Sequence, residues 1–225
     1  MNTEVDELKK AAANWAAAQL RDGMVVGLGS RSTASFAVSE IGRLVKAGLK
    51  LVCVATSENT SEQARSLGIP LSDLSEQPEI DVTIDGADEV ELGTLHLIKG
   101  GGGNLLREKI VATASKRLVI VVDESKLVER LHGPVPVEVA QFGWKSTARR
   151  VAGLGSKPIA RVEPNGNMFV TDGGNFIVDC PFGSIESAQD LQARLDSTVG
   201  VVEHGLFIGL ASQIVVGGPK GVRVH

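Results

Sequence analysis

The feature that most limits how this chain can fold is a series of short, continuously apolar segments, each followed by a helical pattern. Examples are "RLVIVVDESKL" and "KLVCVATS", where Val, Ile and Leu run on without the polar alternation of a half-exposed strand. Such strands are typical of sheets that are buried on both faces. Their alternation with amphipathic helices predicts an α/β fold with a mostly parallel sheet that helices cover on both sides.

The pattern changes after Leu131. From "VPVEVA" to "GVVEHGLF" the segments read in order as strand, helix, two strands, helix and strand, which is a split unit of ferredoxin-like type. The last segment, "SQIVVGGPKGVRV", is expected to return to the first sheet. We therefore predict a main α/β domain at residues 1–130 and 207–225, with a smaller α+β domain inserted at residues 131–206.

Composition argues against several classes of protein. A net charge of -4 is not that of a general nucleic-acid binder, and a chain with no Tyr and 4% aromatic residues lacks base-stacking surfaces. The polar start "MNTEVDELKK" is not a signal peptide, and no apolar run is long enough for a membrane span. Cys53 and Cys180 lie in apolar segments and are expected as buried thiols in a reducing cytosol. Without a CxxC pair, and with four scattered histidines that we interpret as surface or structural groups, we expect no metal site.

The first predicted strand ends in a small-residue loop, "VVGLGSRSTASF", that leads into a helix. The loop could be only a tight strand-to-helix turn. Alternatively, its backbone N–H groups, its hydroxyls and the helix N-terminus suit a small anion such as a sugar phosphate. A dinucleotide site is not indicated, because the second strand ends in "CVATS" without an acid for a ribose hydroxyl, and the Walker lysine is lacking. The loop residues concerned are Gly29, Ser30, Arg31, Ser32 and Thr33.

Other predicted strands also end in polar residues, and the carboxyl ends of parallel strands share the sheet edge where ligands bind. The third strand ends in "DGAD", which is either a plain turn or a pair of carboxylates, Asp85 and Asp88, that divide acid and base roles. The short strand "TLHLI" ends in Lys99 and four glycines, which indicate either a flexible loop or a close approach of the backbone to a ligand. The strand before "DESK" ends in Asp123, and Lys126 by itself is best explained as a solvated side chain.

The helix after the glycines places one acid on an apolar face. Glu108 shares that face with Leu105 and Val111, whereas Arg107 and Lys109 point elsewhere. An acid in this position is either a candidate general base or the partner of a cation on a neighbouring strand.

Together these motifs resemble type A ribose-5-phosphate isomerase over nearly the whole chain. The ordered set is "DGADE", "KGGGGNLLREKI", "VDESK", "PVEV" and "TDGGN". The resemblance implies a Rossmann-like, mostly parallel sheet domain with an inserted ferredoxin-like α+β domain. It also implies a cytoplasmic enzyme of the pentose phosphate pathway that needs no metal or other cofactor and forms a homodimer or homotetramer.

The implied reaction interconverts D-ribose 5-phosphate and D-ribulose 5-phosphate by moving a proton between C2 and C1 through an enediolate. Glu108 would carry the proton, and Lys99 with the N–H groups of Gly100 and Gly101 would bind the charge that develops on oxygen. Asp85 and Asp88 would open the sugar ring and move hydroxyl protons, in a division of roles that the sequence leaves open. The resemblance also implies substrate-binding residues at Lys9, Ser30, Ser32, Thr33, Gly86, Ala87, Gly100, Gly101, Gly102 and Lys126.

Arg31 departs from the family pattern, because the loop reads "GSRST" where Gly-Thr-Gly-Ser-Thr or Gly-Ser-Gly-Ser-Thr is usual. If the position requires a positive φ, a residue other than glycine costs roughly 1 kcal/mol or more. If φ is negative, Arg31 could clamp the phosphate in a bidentate way, and a third possibility is that it points into solvent. We hypothesise a helical or bridge-region backbone, with the guanidinium near the phosphate site or its rim.

Two other classes of protein compete with the isomerase. A non-catalytic sugar-phosphate sensor would carry a helix-turn-helix, for which we expect no room before Glu4, and it would not need Asp85, Asp88 and Glu108. An amino-sugar phosphate isomerase would show a catalytic histidine arrangement, and a CoA transferase would show a thioester-forming glutamate. The order of motifs favours neither, so the expected partner is a small sugar phosphate, with no nucleic acid and no membrane.

Overall fold

The structure, a computed structural model, describes residues 3–225. Within them no helix is long and apolar enough to cross a membrane. In chain order the elements are α1 (Thr3–Ala17), β1 (Val25–Leu28), α2 (Arg31–Lys46), β2 (Val52–Ala55), α3 (Glu58–Ser66), β3 (Val82–Asp85), β4 (Glu89–Glu91), β5 (His96–Ile98), α4 (Leu105–Thr113), β6 (Leu118–Asp123), a 3-10 turn (Glu124–Lys126), β7 (Leu127–Val128), β8 (Val135–Val139), α5 (Trp144–Ala152), β9 (Ile159–Ala160), β10 (Phe176–Cys180), α6 (Ala188–Asp196), β11 (Val201–His204), β12 (Leu206–Phe207), β13 (Gln213–Gly218) and β14 (Gly221–Val224).

The first of two compact units contains the described residues up to Ala87, together with Arg107–Leu127 and Gly209–His225. Its sheet has the strand order β14-β13-β6-β3-β1-β2. Neighbouring strands pair in parallel, except that β14 is antiparallel to β13. The prediction of a mostly parallel sheet, to which the last segment of the chain returns, is therefore confirmed.

Burial on both faces explains the continuous apolar runs of these strands. Every residue of β6 is buried, and α1 and α2 pack in the same core. The buried residues of α2 include Ala37, Val38 and Ile41, at the spacing of one helical face. Because β1, β3 and β6 run in parallel, the polar residues that follow them emerge at one edge of the sheet.

The second unit contains Asp88–Leu106 and Val128–Ile208. One of its sheets has the order β11-β8-β10-β9, with antiparallel pairing throughout. Helix α5 connects β8 to β9 and helix α6 connects β10 to β11, which is the β-α-β-β-α-β order expected from the sequence. Its buried core includes Val137, Val139, Val178, Leu195 and Leu206.

The strand before the glycines does not join the parallel sheet. β5 pairs antiparallel with β4 and β12 in a sheet of order β12-β5-β4-β7. Only residues 92–95 connect β4 to β5, with Leu95 at a φ of 57°, whereas parallel strands need a crossover of a dozen or more residues. The expectation that Lys99 follows a strand of the parallel sheet was therefore wrong, and residues 88–106 belong to the second unit.

A buried acid in the second unit joins two of the sequence motifs. Glu138, in "PVEV", is 1% exposed, and its Oε1 accepts hydrogen bonds from the Thr171 hydroxyl at 2.8 Å and the Asn175 amide at 2.9 Å. Its Oε2 is buried and has no partner among residues 3–225. Burial raises the pKa of this carboxyl; the two hydrogen bonds oppose the rise, and the carboxylates of Glu203 and Asp172 add to it.

We predict that Glu138→Gln changes how stability depends on pH. An acid whose pKa is raised by folding favours the folded state at low pH, and this contribution is lost as the pH rises through the folded-state value. The free energy of unfolding of the natural chain should therefore contain a component that falls from about pH 4.5 upward, and the variant should lack it. Urea unfolding from about pH 4.5 to pH 8 measures this, with Glu186→Gln at an exposed position as the control. The same pH dependence in the natural chain and in Glu138→Gln would contradict the prediction.

Candidate active site

A buried carboxylate holds the loop that follows β1. Asp85, at the end of β3, is 1% exposed, and its Oδ1 accepts hydrogen bonds from the backbone N–H groups of Ser30 at 3.1 Å and Gly86 at 2.7 Å. Gly29 permits this close approach, because a Cβ at that position would lie 2.2 Å from the same oxygen. The third apolar strand therefore ends in an acid that accepts one backbone donor from the loop after β1 and one from the residue that follows the acid itself.

Ser30 links this loop to a second buried acid. It occupies the N-cap position of α2, with an extended backbone at φ -120° and ψ 168°, yet its side chain makes no capping hydrogen bond. The hydroxyl instead donates to Oε1 of Glu108, which lies in the first turn of α4 and is 2% exposed. The first turn of α2 therefore presents its N–H groups without a side-chain cap, and a helix N-terminus in that state favours an anion.

Arg31 has a left-handed backbone, with a φ of 69°. The hypothesis of a helical or bridge-region backbone was wrong, because this position has the conformation that glycine adopts without a steric cost. For a residue with a Cβ the same conformation costs roughly 1–2 kcal/mol. The side chains of Arg31 and Ser32 are exposed and that of Thr33 is half-buried. Backbone strain of this kind is concentrated at binding and catalytic sites.

The remaining predicted residues of the first unit, Lys126, Ala87 and Lys9, are less buried than the two acids. Lys126 ends the 3-10 turn after β6 and is half-buried, as is Ala87. Lys9 lies on α1, with its ammonium 3.7 Å from the carboxylate of Asp6 and a side chain that is 16% exposed. Within residues 3–225 no hydrogen bond joins either lysine to the two buried acids.

In the second unit, Asp88 holds the glycines that follow β5. Its backbone N–H donates to the carbonyl of Ile98 at 2.8 Å, and its Oδ2 accepts the N–H of Gly101 at 2.8 Å. The N–H of Gly101, which the sequence suggested as a donor to the substrate, is therefore engaged by a carboxylate of the protein. This contact does not involve the N–H groups of the neighbouring residues Gly100 and Gly102.

Lys99 is a buried cation in the same unit. It is 3% exposed, and its backbone N–H donates to the carbonyl of Gly205 at 2.8 Å. Its ammonium lies 5.4 Å from the centre of the Phe207 ring, within the range of a cation–π interaction. The residue before the glycines is thus fixed at both its backbone and its side chain.

Arg161 and Asp179 were not identified from the sequence. The Arg161 guanidinium donates to both carboxylate oxygens of Asp179 on β10, with Nε 3.0 Å from Oδ2. Its Nη1 donates to the carbonyls of Gly100 at 2.9 Å and Gly101 at 3.3 Å. A signal was present, because an acid within the apolar strand "NFIVDC" requires a partner, and the preceding predicted strand "PIARVE" contains an arginine.

A separate cluster in the second unit has the composition of a metal site. Potential ligand atoms of Asp196, Glu203 and His204 lie within 4.8 Å of one another. The Nδ1 of His204 accepts the backbone N–H of Leu206 at 3.2 Å, and its Nε2 lies 3.0 Å from Oδ1 of Asp196. The tautomer with its proton on Nε2 satisfies both ring nitrogens, so these contacts favour a structural histidine over a metal ligand.

Comparison with known proteins identifies one family. The model described as ribose 5-phosphate isomerase A (phosphoriboisomerase A) matches residues 52–221. The chain is similar to the ribose-5-phosphate isomerase A of Synechococcus sp. (strain JA-3-3Ab), with 53% identity over 221 residues that cover 97% of this chain and 96% of the relative. It is also similar to the ribose-5-phosphate isomerase A of Gloeobacter violaceus, with 54% identity over 223 residues that cover 98% and 96%.

Solved structures give the same result. The ribose 5-phosphate isomerase A of Methanocaldococcus jannaschii superimposes with a TM-score of 0.93 at 38% identity, covering 97% of this chain and 98% of that one. A D-ribose-5-phosphate isomerase in complex with phospho-erythronic acid superimposes with a TM-score of 0.95 at 37% identity, covering 100% and 99%. The similarity therefore extends over nearly the whole chain.

We predict that Arg31→Gly stabilises the chain. Removal of the Cβ from a residue at a φ of 69° relieves backbone strain, so the free energy of unfolding should rise by about 1 kcal/mol. Urea unfolding measures the change. Ser32→Gly is the matched control, because Ser32 is exposed in the same helical turn but lacks a positive φ, so glycine there should be destabilising. An equal loss of stability in both variants would refute strain at Arg31.

Proposed function

The chain belongs to the ribose 5-phosphate isomerase A family and is an isomerase of ribose 5-phosphate, and from this premise we propose the roles of its residues. The reaction moves a proton between C2 and C1 of the sugar through an enediolate. It requires a base for that proton, donors for the oxygen that becomes negative, groups that open the sugar ring, and a site for the phosphate. Relatives that share about half of their residues with this chain are named as isomerases, which supports this activity over a sensor or a CoA transferase.

Glu108 is the proposed base. The observation that carries this assignment is the hydrogen bond from the Ser30 hydroxyl to Oε1 of Glu108, a carboxylate that is 2% exposed. A base that takes a proton from one carbon and returns it to the next needs a fixed position and protection from bulk water. The hydroxyl supplies the fixed position and burial supplies the protection. We assign Ser30 to positioning the base and to the phosphate loop.

Asp85 and Asp88 are the proposed groups for ring opening and hydroxyl proton transfer. Each accepts a backbone hydrogen bond of a glycine-containing loop, Asp85 from Ser30 and Asp88 from Gly101. Such donors fix the direction of a carboxylate, which suits a group that exchanges protons with a sugar hydroxyl. The two acids are three positions apart in the sequence, and we assign the proton transfers to the pair.

Lys99 is proposed to bind the oxygen that becomes negative in the enediolate. Its ammonium is buried, and a fixed cation stabilises developing charge more strongly away from bulk water. Backbone N–H groups of the glycines would add to this effect. Because the N–H of Gly101 already donates to Asp88, Gly100 and Gly102 are the proposed donors.

The first turn of α2 is the proposed phosphate site. An uncapped helix N-terminus supplies N–H groups and a favourable dipole, and the hydroxyls of Ser32 and Thr33 lie in the same turn. Arg31 adds a cation to this turn. Its backbone is strained, and strain of this kind is concentrated at functional sites, which supports a binding role for its side chain. The further proposed substrate-binding residues are Lys9, Gly86, Ala87 and Lys126.

We also propose that the enzyme acts in the cytoplasm, in the pentose phosphate pathway, without a metal or other cofactor. Cys53 and Cys180 support a reducing compartment, since both are buried free thiols. Burial raises the pKa of each thiol to about 12, so neither carries a thiolate at neutral pH.

Self-association into a homodimer or homotetramer is a further part of the proposal. Apolar side chains of the second unit support it: Ile159, on the strand β9 at the end of its sheet, is 63% exposed, and Val162 and Val170 are 55% and 49% exposed. An edge strand with exposed apolar neighbours is a surface that a second copy would cover.

We predict that Glu108→Gln abolishes nearly all isomerisation while the protein stays folded. The amide keeps the shape of the side chain but cannot take a proton, so kcat should fall by about 10³-fold or more. The measurement is ribulose 5-phosphate formed from ribose 5-phosphate, with and without a chelator, which should make no difference. Glu62→Gln, at an exposed position on α3, is the control and should keep the natural rate. Turnover near the natural rate in Glu108→Gln would remove Glu108 from the base role.

A further prediction concerns Arg31 and the phosphate. If the guanidinium attracts the phosphate, Arg31→Gly should raise KM for ribose 5-phosphate several-fold at low salt and less at high salt, because ions screen the attraction. The measurement is KM at several salt concentrations, with Arg43→Gly, on the same helix, as the control for loss of a positive charge. An unchanged KM at every salt concentration would exclude the clamp.

A further inference from the structure

The glycine turn, defined as residues 100–103, is held from one side by a single arginine. Arg161 uses one nitrogen, Nη1, to donate to the carbonyls of Gly100 at 2.9 Å and Gly101 at 3.3 Å. Its other nitrogens donate to both carboxylate oxygens of Asp179, and the Arg161 side chain is only 16% exposed. A fork–fork pair of this kind fixes the plane of the guanidinium, so the two carbonyls face a cation of defined direction.

The backbone of Arg161 is fixed as well. Its N–H donates to the carbonyl of Ile177 at 2.9 Å, and its own carbonyl accepts the N–H of Phe169 at 3.0 Å. The ring of Phe169 lies 5.9 Å from the guanidinium and also supports the turn, because a Cβ on Gly103 would lie 2.3 Å from that ring. Arg161 is therefore anchored on the sheet of β8 to β11 and reaches the turn from there.

These contacts determine which way the peptides of the turn point. The carbonyl and N–H of a trans peptide point in opposite directions, and no peptide bond of the described residues is cis. The Gly100 carbonyl accepts from Arg161 and from the N–H of Gly103 at 2.9 Å, while the N–H of the same peptide, that of Gly101, donates to Asp88. The next peptide joins Gly101 to Gly102. Its carbonyl, that of Gly101, accepts from Arg161, so its N–H, that of Gly102, points away from the guanidinium.

We propose that Arg161, oriented by Asp179, is a positioning residue of the isomerase that sets the direction of the Gly102 N–H toward the enediolate oxygen. This inference rests on the proposed function, in which the glycine turn binds that oxygen. The arginine touches no reacting atom. It acts by holding two carbonyls, because a turn of glycines has little conformational preference of its own and would otherwise sample other peptide directions. The same contact fixes the N–H of Gly101 on Asp88, so loss of Arg161 would also disturb an acid of the site.

The test compares Arg161→Met with Asp179→Asn and Arg161→Lys. In Arg161→Met we expect kcat to fall about 10–100-fold, less than the roughly 10²–10³-fold cost of removing an oxyanion donor outright, because the donor stays present but loses its fixed direction; KM for ribose 5-phosphate should stay within about threefold. The inhibition constant of phospho-erythronic acid should rise by a similar factor to the loss in kcat, since that probe depends on the same donors. Asp179→Asn should show a smaller loss of the same kind. Arg161→Lys should be intermediate, because an ammonium reaches the carbonyls but cannot form the fork with Asp179.

Arg149→Met, at an exposed position on α5, is the matched control and should leave all three constants unchanged. A merely structural role predicts a different result: a lower thermal midpoint and fewer active molecules, with an unchanged inhibition constant in those that remain. That result, or natural kcat in Arg161→Met, would overturn the proposal. If Arg161→Met fails to fold, the isosteric Asp179→Asn decides by the same criteria. The base assignment is tested separately by Glu108→Gln, in which Arg161 is unchanged. Turnover near the natural rate in that variant would contradict the base assignment.

Discussion

The contact between the Asp85 carboxylate and the N–H of Ser30 is the interaction on which the first unit's site depends. Asp85 is carried by β3, whose register beside β1 is set by parallel pairing, so its position follows from the sheet. Gly29 lets the loop approach it, and the captured N–H directs Ser30 so that its hydroxyl meets Glu108. The pairing of β1 with β3 thus acts through the buried Asp85 carboxylate and Ser30 on the position of Glu108, the proposed base on α4.

In the second unit a charged side chain also orients the backbone of a glycine segment, but there the charge is positive. There a partly buried cation, Arg161, donates to the carbonyls of the glycine turn, whereas in the first unit the Asp85 carboxylate accepts the N–H groups of Ser30 and Gly86. In both cases the glycine backbone has little preference of its own, and a charged side chain selects one arrangement of peptide dipoles. Glycine permits close approach of a ligand to the backbone, and the charged side chain holds the glycine peptides in one orientation.

Arg31 illustrates the opposition between stability and function at such a loop. Its φ of 69° carries a steric cost, and its exposed side chain buries little apolar surface that would offset it. A cation placed at the start of an uncapped helix gains most from an anionic ligand. The arginine also shows that the backbone of the loop is imposed by its surroundings, because it adopts the glycine conformation without being glycine.

Continuous apolar runs that alternate with helical patterns of period 3.6 were enough to predict the mostly parallel sheet and the β-α-β-β-α-β order of the second unit, and the acids that end the strands could be read directly from the residues after each run. Glu108 could be selected as a candidate from the sequence because an acid on an apolar helical face is recognisable within two turns of helix. Three features became visible only in the folded chain: β5 pairs outside the parallel sheet, Arg31 has a left-handed backbone, and Arg161 contacts the glycine turn. The contact of Ser30 with Glu108 joins residues 78 positions apart, and that of Arg161 with Gly100 joins residues 61 apart. Local patterns extend over one or two turns, so partners at such separations are determined only when the sheets bring them together.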